Sequence, residues 1–177
     1  MKLVVLDRDG TINHDSDQYI KSPAEWKPIK GSLEAIARLT QAGYRVVVAT
    51  NQSGIARGLF DMTMLNAIHD AMQRAVHQAG GRIDAIFFCP HADEAGCACR
   101  KPRPGMLLEV GRRLNVPLEG VPVVGDASRD LQAAAAAGAR PVLVLTGKGR
   151  QTRKAGGLPP GTEVFADLAA FAAHLVP

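Results

Sequence analysis

No stretch of this chain approaches the roughly 20 consecutive apolar residues that a membrane-spanning helix needs. The apolar start Leu3–Leu6 meets Asp7 before the core of a signal peptide could form. There is no long run of lysine or arginine, no interleaving of aromatic with basic residues and no recognisable nucleic-acid module. These absences argue against a membrane and a nucleic acid as partners, and a cytoplasmic protein is expected. Cysteine is scarce too. Three thiols are an odd number, which excludes a purely disulfide framework and suits a reducing compartment. Aromatic residues are only 5% of the chain, against 46% hydrophobic and 21% charged residues, an ordinary soluble balance. The formal charge of +4 favours an anionic small molecule without requiring nucleic acid. At 177 residues the chain suits one α/β domain, 1–177, with a sizeable core.

The few cysteines are concentrated. Cys89-Pro90-His91 is followed by a gap of five residues and then by Cys97-Ala98-Cys99. Three thiols and one imidazole in a turn-rich loop make a complete tetrahedral zinc set. With four protein ligands no position stays open for water, so this zinc is expected to be structural. The loop runs directly into Arg100 and Lys101, a cationic pair suited to phosphate.

Apolar runs of strand length alternate with segments of helical spacing. Leu3–Leu6, Tyr44–Ala49, Ile83–Phe88, Val121–Val124 and Val142–Leu145 read as buried strands, with Val164–Phe165 as an edge strand. Ser32–Ala42, Thr63–Ala79, Pro104–Leu114, Ser128–Ala137 and Leu168–Leu175 read as helices, and Gly147–Gly161 as a flexible loop. Such alternation predicts a mostly parallel sheet covered on both faces, with ligands beyond the carboxyl ends of the strands. Asp7, Asp9, Thr50 and Asp126 all fall there.

Asp7 and Asp9, joined on the sheet edge by Asp126 and Asp130, would repel one another unless a hard cation neutralises them, so Mg²⁺ is expected. One carboxylate can then attack as a nucleophile while its neighbour handles protons. Thr50 offers a hydroxyl donor and Lys101 a point charge, and Asp130, one helical turn past Asp126, is placed to orient Lys101 or a metal-bound water. His14, His69, His77 and His174 lack metal-ligand partners in the sequence and read as surface or helix-face packing.

In order and spacing, Asp7-x-Asp9-Gly10-Thr11, Thr50, Lys101 and Gly125-Asp126-x-x-x-Asp130 resemble the four motifs of the haloacid dehalogenase-like phosphatases. The resemblance implies a Rossmann-like three-layer sandwich in which Asp7 forms an aspartyl-phosphate. Asp9 would protonate the leaving alkoxide and then deprotonate water. Mg²⁺ would be held by Asp7, Asp126 and the backbone carbonyl of Asp9. No segment is long enough for a large cap, so an open site and a monomer are expected.

The run Thr50-Asn51-Gln52-Ser53-Gly54-Ile55-Ala56-Arg57-Gly58, taken with the cysteine–histidine loop and Arg100-Lys101-Pro102, is similar to one subgroup. That subgroup removes the 7-phosphate of D-glycero-D-manno-heptose 1,7-bisphosphate in the supply of heptose for surface glycans such as lipopolysaccharide. The similarity implies substrate contacts at Asp15, Tyr19, Asn51, Gln52, Ser53, Arg57 and Arg100. It also implies structural zinc on Cys89, His91, Cys97 and Cys99. A histidinol-phosphate phosphatase is the alternative within enzymes. A non-catalytic phosphosugar-binding module is disfavoured, because a binder needs no second aspartate poised for proton transfer.

Overall fold

The computed structural model describes residues 1–177. Six strands form one sheet: β1 (Leu3–Leu6), β2 (Arg45–Asn51), β3 (Ala85–Cys89), β4 (Pro122–Gly125), β5 (Arg140–Val144) and β6 (Glu163–Phe165). All neighbours pair in parallel, in the order β3-β2-β1-β4-β5-β6. This is the Rossmann strand order, in which the chain moves outward from β1 and then returns to lay β4 on its other side. The crevice between the carboxyl ends of β1 and β4 is therefore the switch point where such sheets bind ligands.

Burial on both faces explains why β1 and β4 read as unbroken apolar runs. Val4 and Leu6 point into a core shared with helices α1 (Ser32–Gln41), α2 (Met62–Gln78) and α6 (Leu168–Leu175). Leu3 and Val5, one residue out of phase, point into the opposite core under α3 (Gly105–Leu114) and α4 (Ser128–Ala136). The result is the expected three-layer sandwich. Between β1 and α1 the chain adds only a 3₁₀ turn at Pro23–Glu25 and bridges joining Asn13 to Asp9 and to Pro28, not a bulky cap. No helix is long and apolar enough to cross a membrane.

One expectation is corrected. The segment 147–161 is not wholly a loop, because Gly149–Ala155 forms helix α5. Glycines at both ends disguise it. Gly149 is where the Val144 carbonyl would collide with any Cβ, and Thr152 is buried with its hydroxyl donating to the Asp126 carbonyl at 2.8 Å. Arg153 and Lys154 in the last turn complement the helix dipole. Tertiary anchoring thus outweighs the weak helix propensity of the glycine. Strand β2 also runs two residues further than its apolar core, through Thr50 to Asn51, paired with Phe88 and Cys89.

Candidate active site

The end of β1 presents Asp7, and the end of β4 presents Asp126. The Asp7 N–H bonds the Val124 carbonyl at 2.8 Å, which locks the two strand ends side by side. Lys101 arrives from the segment before α3 and is 2% exposed. Its Nζ lies 2.9 Å from Asp7 Oδ1, 2.7 Å from the Ala49 carbonyl and 2.7 Å from Asp130 Oδ1. The contact with Asp130 is chiefly Coulombic, with a hydrogen-bonding part beside it. Asp130 Oδ2 accepts from the Ala127 N–H at 3.1 Å, tying it to the first turn of α4. Burial works against the ammonium, yet Asp130 and Asp7 hold Lys101 charged above its ordinary range.

Carboxylate oxygens of Asp7, Asp126 and Asp130 lie within 4.8 Å of one another, and all three residues are buried. Burial and the Asp130 charge push Asp7 up to about 6. Burial, then Asp7 and Asp130, push Asp126 up to about 8. Protons are therefore held where negative charge exceeds its compensation. An all-oxygen, net-negative set of this kind suits a hard divalent cation, for which Asp7 and Asp126 have the free oxygens. The floor beneath is close-packed. Gly10 has φ +83°, and a Cβ there would meet the Asp126 carboxylate, as would one on Gly147. Lys148 N–H donates to Asp126 Oδ2 at 2.7 Å, which aims the carboxylate.

Asp9 lies beside this centre and is gripped from three sides. Arg8 Nε and Nη2 donate to its two oxygens at 2.9 and 3.1 Å. Asn13 donates at 2.9 Å, and Gln52 Nε2 at 3.1 Å. Burial opposes ionisation, but the Arg8 guanidinium and these amide donors hold the Asp9 carboxyl below the usual range. Gln52 also donates to Thr50 Oγ1 at 2.9 Å, so Thr50 and Asp9 are linked through one amide.

The cysteine loop brings its four ligand atoms within 4.8 Å of one another. His91 Nδ1 lies 3.6 Å from Cys89 Sγ and 3.5 Å from Cys99 Sγ, and the Cys89 and Cys97 sulfurs are 3.6 Å apart. A tetrahedral zinc with Zn–S about 2.3 Å and Zn–N about 2.0–2.1 Å has ligand–ligand edges of roughly 3.5–3.8 Å. The Cys89–Cys99 edge, at 3.0 Å, would widen on metal binding, and is far too long for a disulfide. The residues therefore fit Zn²⁺. The loop is tied to its surroundings by Gln52 N–H to the Cys89 carbonyl at 2.7 Å and by Gly105 N–H to the Ala98 carbonyl at 3.0 Å. Arg103 also donates to the Cys97 carbonyl.

Among the other residues singled out by sequence, Asn51 uses both ends of its amide on the Lys101 backbone, at 3.0 and 3.1 Å. Arg100 pairs with Asp93 at 2.6 Å and donates to the His91 carbonyl at 3.2 Å, so it lies along the cysteine loop. Ser53 is buried in the turn after β2, and Arg57 is exposed at its far end. Asp15 faces Lys148, with Nζ 3.6 Å away, and the two line a polar cavity of about 600 Å³ with His14, Ser16, Asp17 and Arg150. Tyr19, at φ +66°, borders the neighbouring hollow with Asp15 and Ser16.

Sequence reasoning missed Arg8 and Arg129. Burial disfavours the Arg129 cation, but the field of Asp130, Asp7, Asp126 and Asp15 keeps it charged more firmly than usual. Its position one residue before Asp130 was the available signal. His69 lies on the buried face of α2, the helix-face half of the reading given for it; it is 7% exposed, and its Nε2 lies 3.1 Å from Arg8 Nη1.

The chain is similar to known proteins over nearly its whole length. A family model described as HAD-hydrolase-like matches residues 98–171. A D-glycero-beta-D-manno-heptose-1,7-bisphosphate 7-phosphatase of Bordetella bronchiseptica is 63% identical over 99% of this chain and 98% of its own. The enzyme of that name from Pseudomonas putida is 53% identical over 99% of this chain and 100% of its own. A crystal structure of D,D-heptose 1,7-bisphosphate phosphatase from B. bronchiseptica, complexed with magnesium and phosphate, superposes with a TM-score of 0.98 at 63% identity, covering 99% and 98% of the two chains.

Proposed function

The chain belongs to the family of D-glycero-beta-D-manno-heptose-1,7-bisphosphate 7-phosphatases, HAD-like hydrolases of phosphoric monoesters, and we propose that it removes the 7-phosphate of that heptose bisphosphate. The reading places it in heptose supply for surface glycans, in the cytoplasm, where reducing conditions keep the three thiols free for zinc. A monomer suffices, since one chain provides every side chain of the centre. The relatives at 51–63% identity that carry the heptose name weigh against the histidinol-phosphate alternative. Their β-anomer name supports preference for that anomer here.

The observation that carries the chemistry is the convergence of Asp7, Lys101 and Asp126 in one crevice with Asp9 alongside. In this reading an Asp7 oxygen attacks phosphorus, and the bond from phosphorus to the sugar oxygen breaks as Asp9, ionised in the free protein and protonated on taking up a proton with the incoming phosphate, gives that oxygen its proton. Asp9 then takes a proton from water, whose oxygen attacks the same phosphorus. The acyl-phosphate bond breaks, releasing phosphate and restoring Asp7. Lys101 and Thr50 neutralise and hold the phosphoryl oxygens, and Asp130 keeps Lys101 in place. Mg²⁺, bound by Asp7, Asp126 and the Asp9 carbonyl, would supply further neutralisation of the phosphoryl charge. Zinc on Cys89, His91, Cys97 and Cys99 would fix the loop that delivers Lys101. Asp15, Tyr19, Gln52, Ser53, Arg57 and Arg100 are assigned to the substrate, and Asn51 serves it by holding the Lys101 backbone.

The deciding experiment compares kcat/KM for both anomers of the heptose bisphosphate, histidinol phosphate and simple sugar monophosphates. The β-anomer should be favoured over the other phosphate classes by at least about tenfold, the scale of discrimination by a few contacts. Preference for histidinol phosphate would overturn the assignment.

A further inference from the structure

His69 belongs to none of the motifs that carry the chemistry. It comes from the middle of α2, 61 residues from Arg8 in the chain, yet the two side chains meet in the interior. Arg8 has no exposed surface at all, and His69 is 7% exposed. The planar guanidinium is fixed at three points: two bonds to the Asp9 carboxylate and one to His69 Nε2 at 3.1 Å. Arginine has only donors, so the histidine nitrogen must accept, and the ring must be neutral with its proton on Nδ1. Burial and the Arg8 charge lower His69 to about 4, which keeps that neutral form present at neutral pH.

A buried donor that loses its only partner on one side cannot turn to water and instead drives a local rearrangement. Were His69 absent, Arg8 Nη1 would be orphaned, and the fork would be free to pivot about its two bonds to Asp9. Asn13 and Gln52 restrain the carboxylate from other directions, but neither hydrogen-bonds the Arg8 side chain. Proton transfer needs its heavy atoms within about 2.6–3.2 Å, so the aim of Asp9 depends on what holds Arg8.

We propose that His69 is a positioning residue for the phosphatase reaction: by accepting from Arg8 Nη1 it fixes the plane of the guanidinium, and that plane fixes the direction in which Asp9 presents its carboxylate. The proposal rests on the reading of Asp9 as the acid–base group. It gives helix α2 a part in catalysis that none of the residue motifs indicates.

The test is a double-mutant cycle on the full chain with magnesium present, using His69→Leu, Arg8→Met and their combination, with His69→Gln as the conservative variant. His69→Leu should lower kcat about ten- to a hundredfold, the cost of a side chain misplaced by about an ångström. KM should stay within about twofold, because ground-state binding is untouched. His69→Gln, which restores an acceptor, should recover most of the lost kcat. In the Arg8→Met background, His69→Leu should change nothing further. Unchanged kcat in folded His69→Leu, or the same loss with and without Arg8, would overturn the proposal. If His69→Leu alone does not fold, the comparison of Arg8→Met with the double variant still decides, since neither buries an unpartnered guanidinium. Asp9→Asn separates the two layers: full activity in that variant would sink the acid–base reading itself. Loss in Asp9→Asn with none in His69→Leu would sink only the positioning role.

Discussion

Lys101 Nζ sits 2.7 Å from Asp130 Oδ1, and the two side chains are 2% and 1% exposed. Removing one member of a buried ion pair costs about 3–5 kcal/mol when it strands an uncompensated charge. The two members of this pair are not equivalent. Lys101→Met strands both Asp7 and Asp130, whereas Asp130→Asn leaves Lys101 its bond to Asp7 at 2.9 Å and the Ala49 carbonyl. Denaturant unfolding in metal-free buffer should therefore show Lys101→Met to be the more destabilised by some kcal/mol. The opposite order would mean that Asp130, not the lysine, is the keystone of the crevice.

Asp7→Asn changes one oxygen of the carboxylate proposed to attack phosphorus to nitrogen and keeps its volume. Turnover should vanish while the circular dichroism spectrum stays that of the parent protein; full activity would remove Asp7 from the role of nucleophile. Asp9→Asn should slow both formation and hydrolysis of the phospho-enzyme, because in the proposed reaction the Asp9 carboxyl handles both protons. Rapid-quench measurement of the two steps distinguishes this from a defect in one alone.

How far the sequence revealed the centre depends on the kind of contact. Leu3–Leu6 and Val121–Val124 were legible because strands buried on both faces are apolar without interruption, and each runs into an aspartate. The clustering of Cys89, His91, Cys97 and Cys99 was legible because one short loop holds all four. Helix α5 was not, since its order comes from Thr152 reaching the Asp126 carbonyl, a contact 26 residues away in the chain. The Arg8–His69 pair was equally hidden, because neither residue carries a local pattern that points to the other. The turn of Asn51 toward the Lys101 backbone and of Arg100 toward Asp93 is a matter of rotamer choice, which residue type does not specify.

The cysteine loop should carry about one zinc per chain, the number its single four-ligand set allows. Elemental analysis of freshly purified reduced protein checks this, and absence of zinc would contradict the assignment. Because Cys99 is two residues from Lys101, loss of the metal should disturb catalysis without touching a catalytic side chain. Cys97→Ser should weaken zinc retention and lower kcat more than it raises KM for the phosphate ester. A variant that loses zinc and keeps full kcat would show that β2 and Asn51 alone suffice to place Lys101.

The carboxylate cluster also fixes a sign for the dependence of stability on pH. In the absence of metal, Asp7 and Asp126 are raised from the ordinary 3.8 to about 6 and about 8, so the folded protein binds protons that the unfolded chain releases. Stability contributed by these groups is therefore greatest near pH 4 and is lost as pH rises through 6 and 8. Asp126→Asn removes the larger share of this dependence. Without metal, its melting temperature relative to the parent should rise steadily between pH 5 and pH 8. Magnesium should reverse the order at pH 8, because it binds the ionised parent cluster and stabilises the state that holds it. A parent protein whose metal-free melting temperature tracks that of Asp126→Asn across this range would show that the cluster is already neutralised by Lys101 and Arg129.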